Sequence, residues 1–291
     1  MKTLVVLTDF TIKAENAAFY SLSLARQLKA DIFLCHVLPV GARMHNDIRS
    51  GEHADNIDAM YDLAELAGRL KKQINNDTAT SHFKPMVTCA IKIGTMANVL
   101  NDIGLEREVT MAVISARQSS KWMALLMGSN TNELIENTNY PVLVIPYGIN
   151  FRGLKTIAFA TDLTDNCLNA LHTLSGFAAH ADAEIVITYI ANKKLIERGN
   201  NIALQNFFNL VSEHITYPKK RYQIINDKKV VRGLRKLPEK INVDMIVVVH
   251  RKRNYLQQLL GTSISLIMTN FLVRPMLIFP SQTVHEAALA L

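Results

Sequence analysis

The chain has 291 residues, 49% hydrophobic and 20% charged, with a formal net charge of +7, a length that favours two domains of roughly 150 residues, each able to bury its own core. No apolar run approaches the ~18–20 residues a membrane span needs, the candidate near Leu272 to Phe279 being broken by Arg274 and Pro275. Cys35, Cys89 and Cys167 share no CxxC spacing, which argues against a zinc knuckle or a disulfide framework; with a strand pattern directly after Lys2 and no signal-peptide core, the expectation is a reduced, cytoplasmic protein.

In chain order, Leu4 to Leu7 is a continuous apolar run, as in a strand buried on both faces. From Thr11 or Glu15 to Leu28, the positions Ala17, Ala18, Leu22, Leu24, Ala25 and Leu28 trace a helical stripe. Asp31 to Leu38 predicts a second strand, stopped by Pro39, and residues 40–56 a polar loop. The spacing of Ile57, Met60, Leu63, Leu66, Ala67, Leu70 and Ile74 predicts a long helix. Met86 to Ala90 is a third strand, Met96 to Leu105 a helix opening at Gly94-Thr95, and Met111 to Ser115 a fourth strand. A helix from Ser129 or Asn130 to Asn137 and a fifth strand from Pro141 to Pro146 follow.

The pattern then repeats. Residues 2–11, Lys-Thr-Leu-Val-Val-Leu-Thr-Asp-Phe-Thr, are echoed by residues 155–164, Lys-Thr-Ile-Ala-Phe-Ala-Thr-Asp-Leu-Thr, at an offset of 153. Thr156 to Ala160, Asn166 to Ala179, Glu184 to Ile190, Ile202 to Val211, Tyr222 to Ile225, Val230 to Lys240, Met245 to Val249, Ser263 to Phe271 and Pro275 to Pro280 continue the same alternation. An internal echo of this size predicts two copies of one domain, 1–147 and 148–291, joined by a short linker at Tyr147 to Gly153. The offset falls to 134 by the last strand, so the second copy is the shorter. Strand–helix alternation predicts a doubly wound, five-stranded parallel sheet in each, with right-handed crossovers. Ligands of such sheets bind at the carboxyl ends of the strands.

The motifs resemble those of universal stress proteins. That family's pattern is a first strand ending in a Thr-Asp-Phe-Ser/Thr step, a second ending His-Val, a fourth running into Gly-x2-Gly-x9-Gly-Ser/Thr, and a fifth reading Pro-Val-Leu-Val. The first copy offers Thr8-Asp9-Phe10-Thr11, His36-Val37, Gly128-Ser129 and Pro141 to Pro146. The second offers Thr161-Asp162-Leu163-Thr164, Tyr189-Ile190, Gly261-Thr262 and Pro275 to Pro280. The resemblance implies a tandem protein of adenine nucleotide α-hydrolase-like fold. It also implies an adenine-nucleotide site, ATP or AMP, with the aspartate and the second-strand backbone at the nucleotide and the glycine loop around the phosphates. Candidate residues in the first copy are Thr8, Asp9, Val37, Ser115, Arg117, Gln118, Gly128, Ser129, Asn130 and Thr131. In the second they are Thr161, Asp162, Ile190, Arg251, Gly261 and Thr262.

Here the chain departs from the family. Its first two glycine positions fall on Ser115 and Gln118, and in the second copy on Val249 and Lys252. A Cβ at such points blocks positive φ or holds a phosphate away from the backbone, while Arg117, Lys121 and Arg251 offer charge in place of N–H groups. The expected function is therefore a non-enzymatic, universal-stress-type regulatory or protective protein with a degenerate phosphate loop. The alternative is a protein-interaction scaffold of the same fold. No Ser/His/Asp or paired-carboxylate arrangement argues for catalysis.

Other residues suit plainer roles. Asp9 and Asp162 suit helix capping as well as ligand binding. His36 and His250 lack metal spacing, and Cys35 and Cys167 lack a basic helper. Residues 1–147 hold 14 Lys/Arg against 15 Asp/Glu, so the positive charge lies in the rest of the chain. Lys228, Lys229, Arg232, Arg235, Lys236 and Lys240 recur at helical spacing, and without interleaved aromatics they predict a solvated basic face rather than nucleic-acid binding. The Pro-flanked fifth strands are expected to pair about a pseudo-two-fold, giving an internal pseudo-dimer, with a homodimer or protein partner beyond it.

Overall fold

The computed structural model describes residues 1–40, 53–77, 83–116, 129–191, 201–250 and 273–280. In the first half the elements are β1 (Thr3–Leu7), α1 (Ile12–Leu28), β2 (Asp31–Leu38), α2 (His53–Asn75), β3 (Val87–Ile93), α3 (Met96–Glu106), β4 (Val109–Ser115), α4 (Ser129–Asn137) and β5 (Val142–Ile145). The second half adds β6 (Thr156–Thr161), α5 (Asp165–Ala181), β7 (Glu184–Ala191), α6 (Asn201–His214), β8 (Lys220–Asn226), α7 (Val230–Lys240), β9 (Met245–Val249) and β10 (Met276–Phe279). The helix expected over Ser263 to Phe271 lies outside the described residues.

Among the described residues, ten strands form one sheet in the order β3-β2-β1-β4-β5-β10-β9-β6-β7-β8. Every pairing is parallel except β5 with β10, where Val142, Leu143 and Val144 run antiparallel to Ile278, Leu277 and Met276. The order on one side of that seam is the mirror of the order on the other.

Alternation along the strands builds two cores. Leu4 and Val6 of β1 join a cluster with α1, α2, α5 and α6; Val5 and Leu7 join a second with α3, α4 and α7. Each fully buried aliphatic side chain stabilises by ~1.5–3 kcal/mol, so the period-two pattern fixes the three layers.

Both cores run through the seam. Tyr20 meets Phe151 edge-on at 5.1 Å between ring centroids. The Gln27 amide donates to the carbonyls of Leu154 (3.1 Å) and Ala181 (2.9 Å) and accepts from the Leu154 N–H (2.9 Å).

One local expectation fails. Ile57 and Met60 count towards the buried stripe of α2 by spacing, yet they are 53% and 64% exposed. The buried face is Ala59, Leu63, Leu66, Ala67, Leu70 and Ile74, which points about 100° away around a 3.6-residue helix.

Candidate functional site

The crossovers leaving β1 and β4 run to opposite faces of the sheet, because α1 packs with one core and α4 with the other. Between them opens the crevice where doubly wound sheets hold ligands. Val6 pairs with Val113, so Thr8 and Ser115, each two residues on, flank that crevice.

The turn after β1 is built around a residue in the left-handed region. Phe10 has φ +60°, a position a bulky residue holds only when its surroundings fix it, at a cost of order 1–3 kcal/mol. Four contacts fix it here. The Phe10 N–H donates to Thr8 Oγ1 at 3.2 Å. The Thr11 hydroxyl donates to Asp9 Oδ1 at 2.6 Å, and its N–H to the same oxygen at 3.3 Å. The Phe10 ring lies on the His36 imidazole, centroids 4.5 Å apart.

His36 Nδ1 sits 2.8 Å from the Thr8 carbonyl; a carbonyl only accepts, so this nitrogen carries the proton. His36 is therefore a brace for the turn, and Val37 beside it is half-buried at the end of β2. The helix cap falls to Thr11, whose Oγ1 accepts from Ala14 N–H at 3.3 Å. Asp9 orients that cap rather than making it.

The second half repeats the turn with changes. Leu163 has φ +66° and donates its N–H to Thr161 Oγ1 at 3.0 Å. The Thr164 hydroxyl donates to Asp162 Oδ1 at 2.6 Å, and the Cys167 thiol lies 3.1 Å from the same oxygen. Burial, reinforced by the Asp162 charge, pushes that thiol up to about 11. Cys35 is held at about 12 by burial, which outweighs the opposing effect of Lys92.

Ile190, the counterpart of Val37, is 8% exposed. A Cβ on Gly233 of α7 would sit 2.4 Å from Ile190 Cγ2, so only glycine lets the helix close down on this strand end.

Asp227 dominates this neighbourhood. It follows β8, its side chain is fully buried, and its N–H donates to the Ala191 carbonyl at 3.1 Å. The equivalent N–H in the first half belongs to Gly94, which donates to Leu38 O at 2.9 Å. The Asp227 carboxylate accepts from Arg232 Nε at 2.7 and 2.8 Å, Lys236 Nζ at 2.8 Å and Lys229 N–H at 3.1 Å. Burial alone would raise its pKa; the Lys236, Lys229 and Arg232 contacts reverse this and hold it well below the usual carboxylate range. Part of the expected basic face is thus neutralised internally. The sequence signal was an Asp followed at i+5 and i+9 by cations, which the search for basic residues alone passed over.

A cleft of about 220 Å³ is lined by Phe10, Glu15, Asp62, Glu65, Leu66 and Arg69. Arg69 pairs with Glu15 at 2.6 Å and Glu65 at 3.7 Å, leaving acidic walls that repel a phosphate.

The structure thus brings Thr8, Asp9, Val37 and Ser115 to one sheet edge, and Thr161, Asp162 and Ile190 to another. Ser129, Asn130 and Thr131 open α4, whose N-terminus favours negative charge. Arg117, Gln118, Gly128, Arg251, Gly261 and Thr262 lie outside the described residues.

A mostly parallel sheet between two layers of helices, with a Thr-Asp-Phe-Thr turn at its switch point, defines a doubly wound α/β protein. Residues 1–146 match the family model described as the universal stress protein family, and the chain belongs to that family. Universal stress protein G of Salmonella typhimurium (strain LT2) is 27% identical over 150 residues, 50% of this chain and 98% of that protein. A universal stress protein from Archaeoglobus fulgidus DSM 4304 shares the fold at a TM-score of 0.68 and 14% identity, over 96% of this chain and 98% of the other. The cytoplasmic domain of a prokaryotic cation chloride cotransporter superposes at 0.56 with 9% identity, over 100% and 98%.

Proposed function

We propose that this chain is a tandem universal-stress-type regulatory or protective protein of the cytoplasm, without catalytic activity. Its halves act as an internal pseudo-dimer about the β5–β10 seam, and its first half binds an adenine nucleotide such as ATP or AMP. The observation that carries the ligand assignment is the difference at the two second-strand ends: Val37 is half-buried beside a braced Asp9 turn, whereas Ile190 is covered by α7. Base recognition by strand backbone needs an uncovered strand end, so one site per chain is expected. Isothermal titration of the whole chain with ATP and with AMP tests this. One site, lost in Asp9→Asn and retained in Asp162→Asn, supports the reading.

A second reading is favoured by the residues at the family's glycine positions, Ser115 and Gln118. In that reading the chain is a scaffold that works through protein contacts alone. Flat titrations with both nucleotides, with no small molecule co-purifying by native mass spectrometry, select it.

A further inference from the structure

Helix α2 carries a second apolar stripe, separate from its buried face. Ile57, Met60 and Tyr61 are 53%, 64% and 72% exposed, and Ala64 and Gly68 continue the line at helical spacing, also exposed. Scattered exposed apolar residues need no explanation, but three on adjacent turns of one helix do. Gly68 adds to the case. It lies inside a helix, where glycine is disfavoured, and a Cβ there would meet nothing within 4 Å. Among the described residues nothing requires it to be glycine.

The charges flanking the stripe identify the occupant. Asp58 and Asp62 precede the midpoint of α2, while Arg69, Lys71 and Lys72 follow it. A surface that meets a copy of itself about a two-fold axis must be self-complementary. Two such helices are self-complementary only when antiparallel; a parallel pair stacks acid on acid and base on base.

We infer that α2 is a homodimer interface, in which two copies of the chain cross antiparallel with the axis near Ala64. Met60 and Tyr61 of one copy then pack over Gly68 of the partner subunit, and Asp58 faces Lys72 of the partner subunit, which lies on the same flank of the stripe. The shorter α6 exposes Ile202 and, less fully, Leu210 eight residues on, so the device belongs to the first half only. A single helix pair is a small interface, and the association is expected to be weak and concentration-dependent.

Sedimentation velocity of the full chain over a concentration series tests this. The wild type is expected to shift from monomer to dimer. Gly68→Gln, a better helix former that adds bulk at the crossing, weakens association about ten-fold or more while the thermal midpoint stays level or rises. Asp58→Lys weakens it too, and adding Lys72→Asp to that variant restores it. A chain that remains monomeric throughout overturns the proposal, as does a dimer indifferent to Gly68→Gln or a charge swap without rescue.

Discussion

The two halves carry the same turn after their first strand and differ next door to it. In the N-terminal half, β3 runs through Gly94 into a helix capped by Thr95 Oγ1, which accepts from Asn98 N–H. In the C-terminal half, a buried carboxylate takes the place of Gly94 and three donors converge on it. The helix that follows has no side-chain cap and holds its position by this charge cluster and by Gly233 against Ile190. One fold thus solves the same junction by capping in one half and by an internal ion cluster in the other. The lesson is that a strand end is kept open or sealed by its neighbouring helix as much as by the motif on the strand itself.

The largest expected effect comes from removing the cluster. Asp227→Ala should destabilise the chain by about 1.5–3 kcal/mol, the range for hydrogen bonds to a charged group; half-exposed Arg232 and Lys236 can regain water, which argues against more. The pH dependence follows from linkage. A carboxyl whose folded pKa is depressed contributes its stability above its unfolded value near 3.9 and loses it as pH falls through the folded value. Urea midpoints of wild type should therefore drop more steeply than those of Asp227→Asn below about pH 4. Parallel curves would separate the cluster from acid stability.

Opening the seal is next. Gly233→Ala forces a methyl into Ile190 and should cost about 1–3 kcal/mol by overpacking, read as a lowered thermal midpoint. If the loss is negligible, α7 moves away freely and the strand end is not sealed. Capping predicts a smaller contrast. Thr11→Ala removes a cap bond and should cost ~1 kcal/mol. Thr164 makes no side-chain cap bond, so Thr164→Ala should cost less in the same denaturation series. The thiols give a final contrast: Cys89, exposed on β3, should react with Ellman's reagent in the native chain, whereas buried Cys35 and Cys167 should require denaturant.

Much of this architecture was legible in the residues. Apolar runs such as Leu4–Leu7 and Ile246–Val249 can be buried on both faces only in a parallel sheet between helices, and the structure places them so. The α/β class and the strand–helix alternation follow from such runs. The Thr-Asp-x-Thr motif marked the turn, yet its mechanics were not legible. Nothing in the local sequence says that Phe10 and Leu163 take positive φ, since that choice is imposed by Thr8, Thr161 and the His36 ring across the sheet. Asp227 was missed for a related reason: a single acid among lysines reads as surface until the fold buries it. The split of α2 into two apolar stripes was hidden because Ile57 and Met60 fit helical spacing as well as Leu63 and Leu66 do.

The antiparallel join between Val142–Val144 and Met276–Ile278 has a consequence for inheritance. When identical subunits meet across a symmetry axis, every substitution is imposed on both sides at once. In the internal pseudo-dimer proposed above, that axis lies inside one polypeptide, so an altered residue appears once and its counterpart stays as it was. The asymmetry between Gly94 and Asp227 is of the kind such an arrangement permits and a pair of identical subunits forbids.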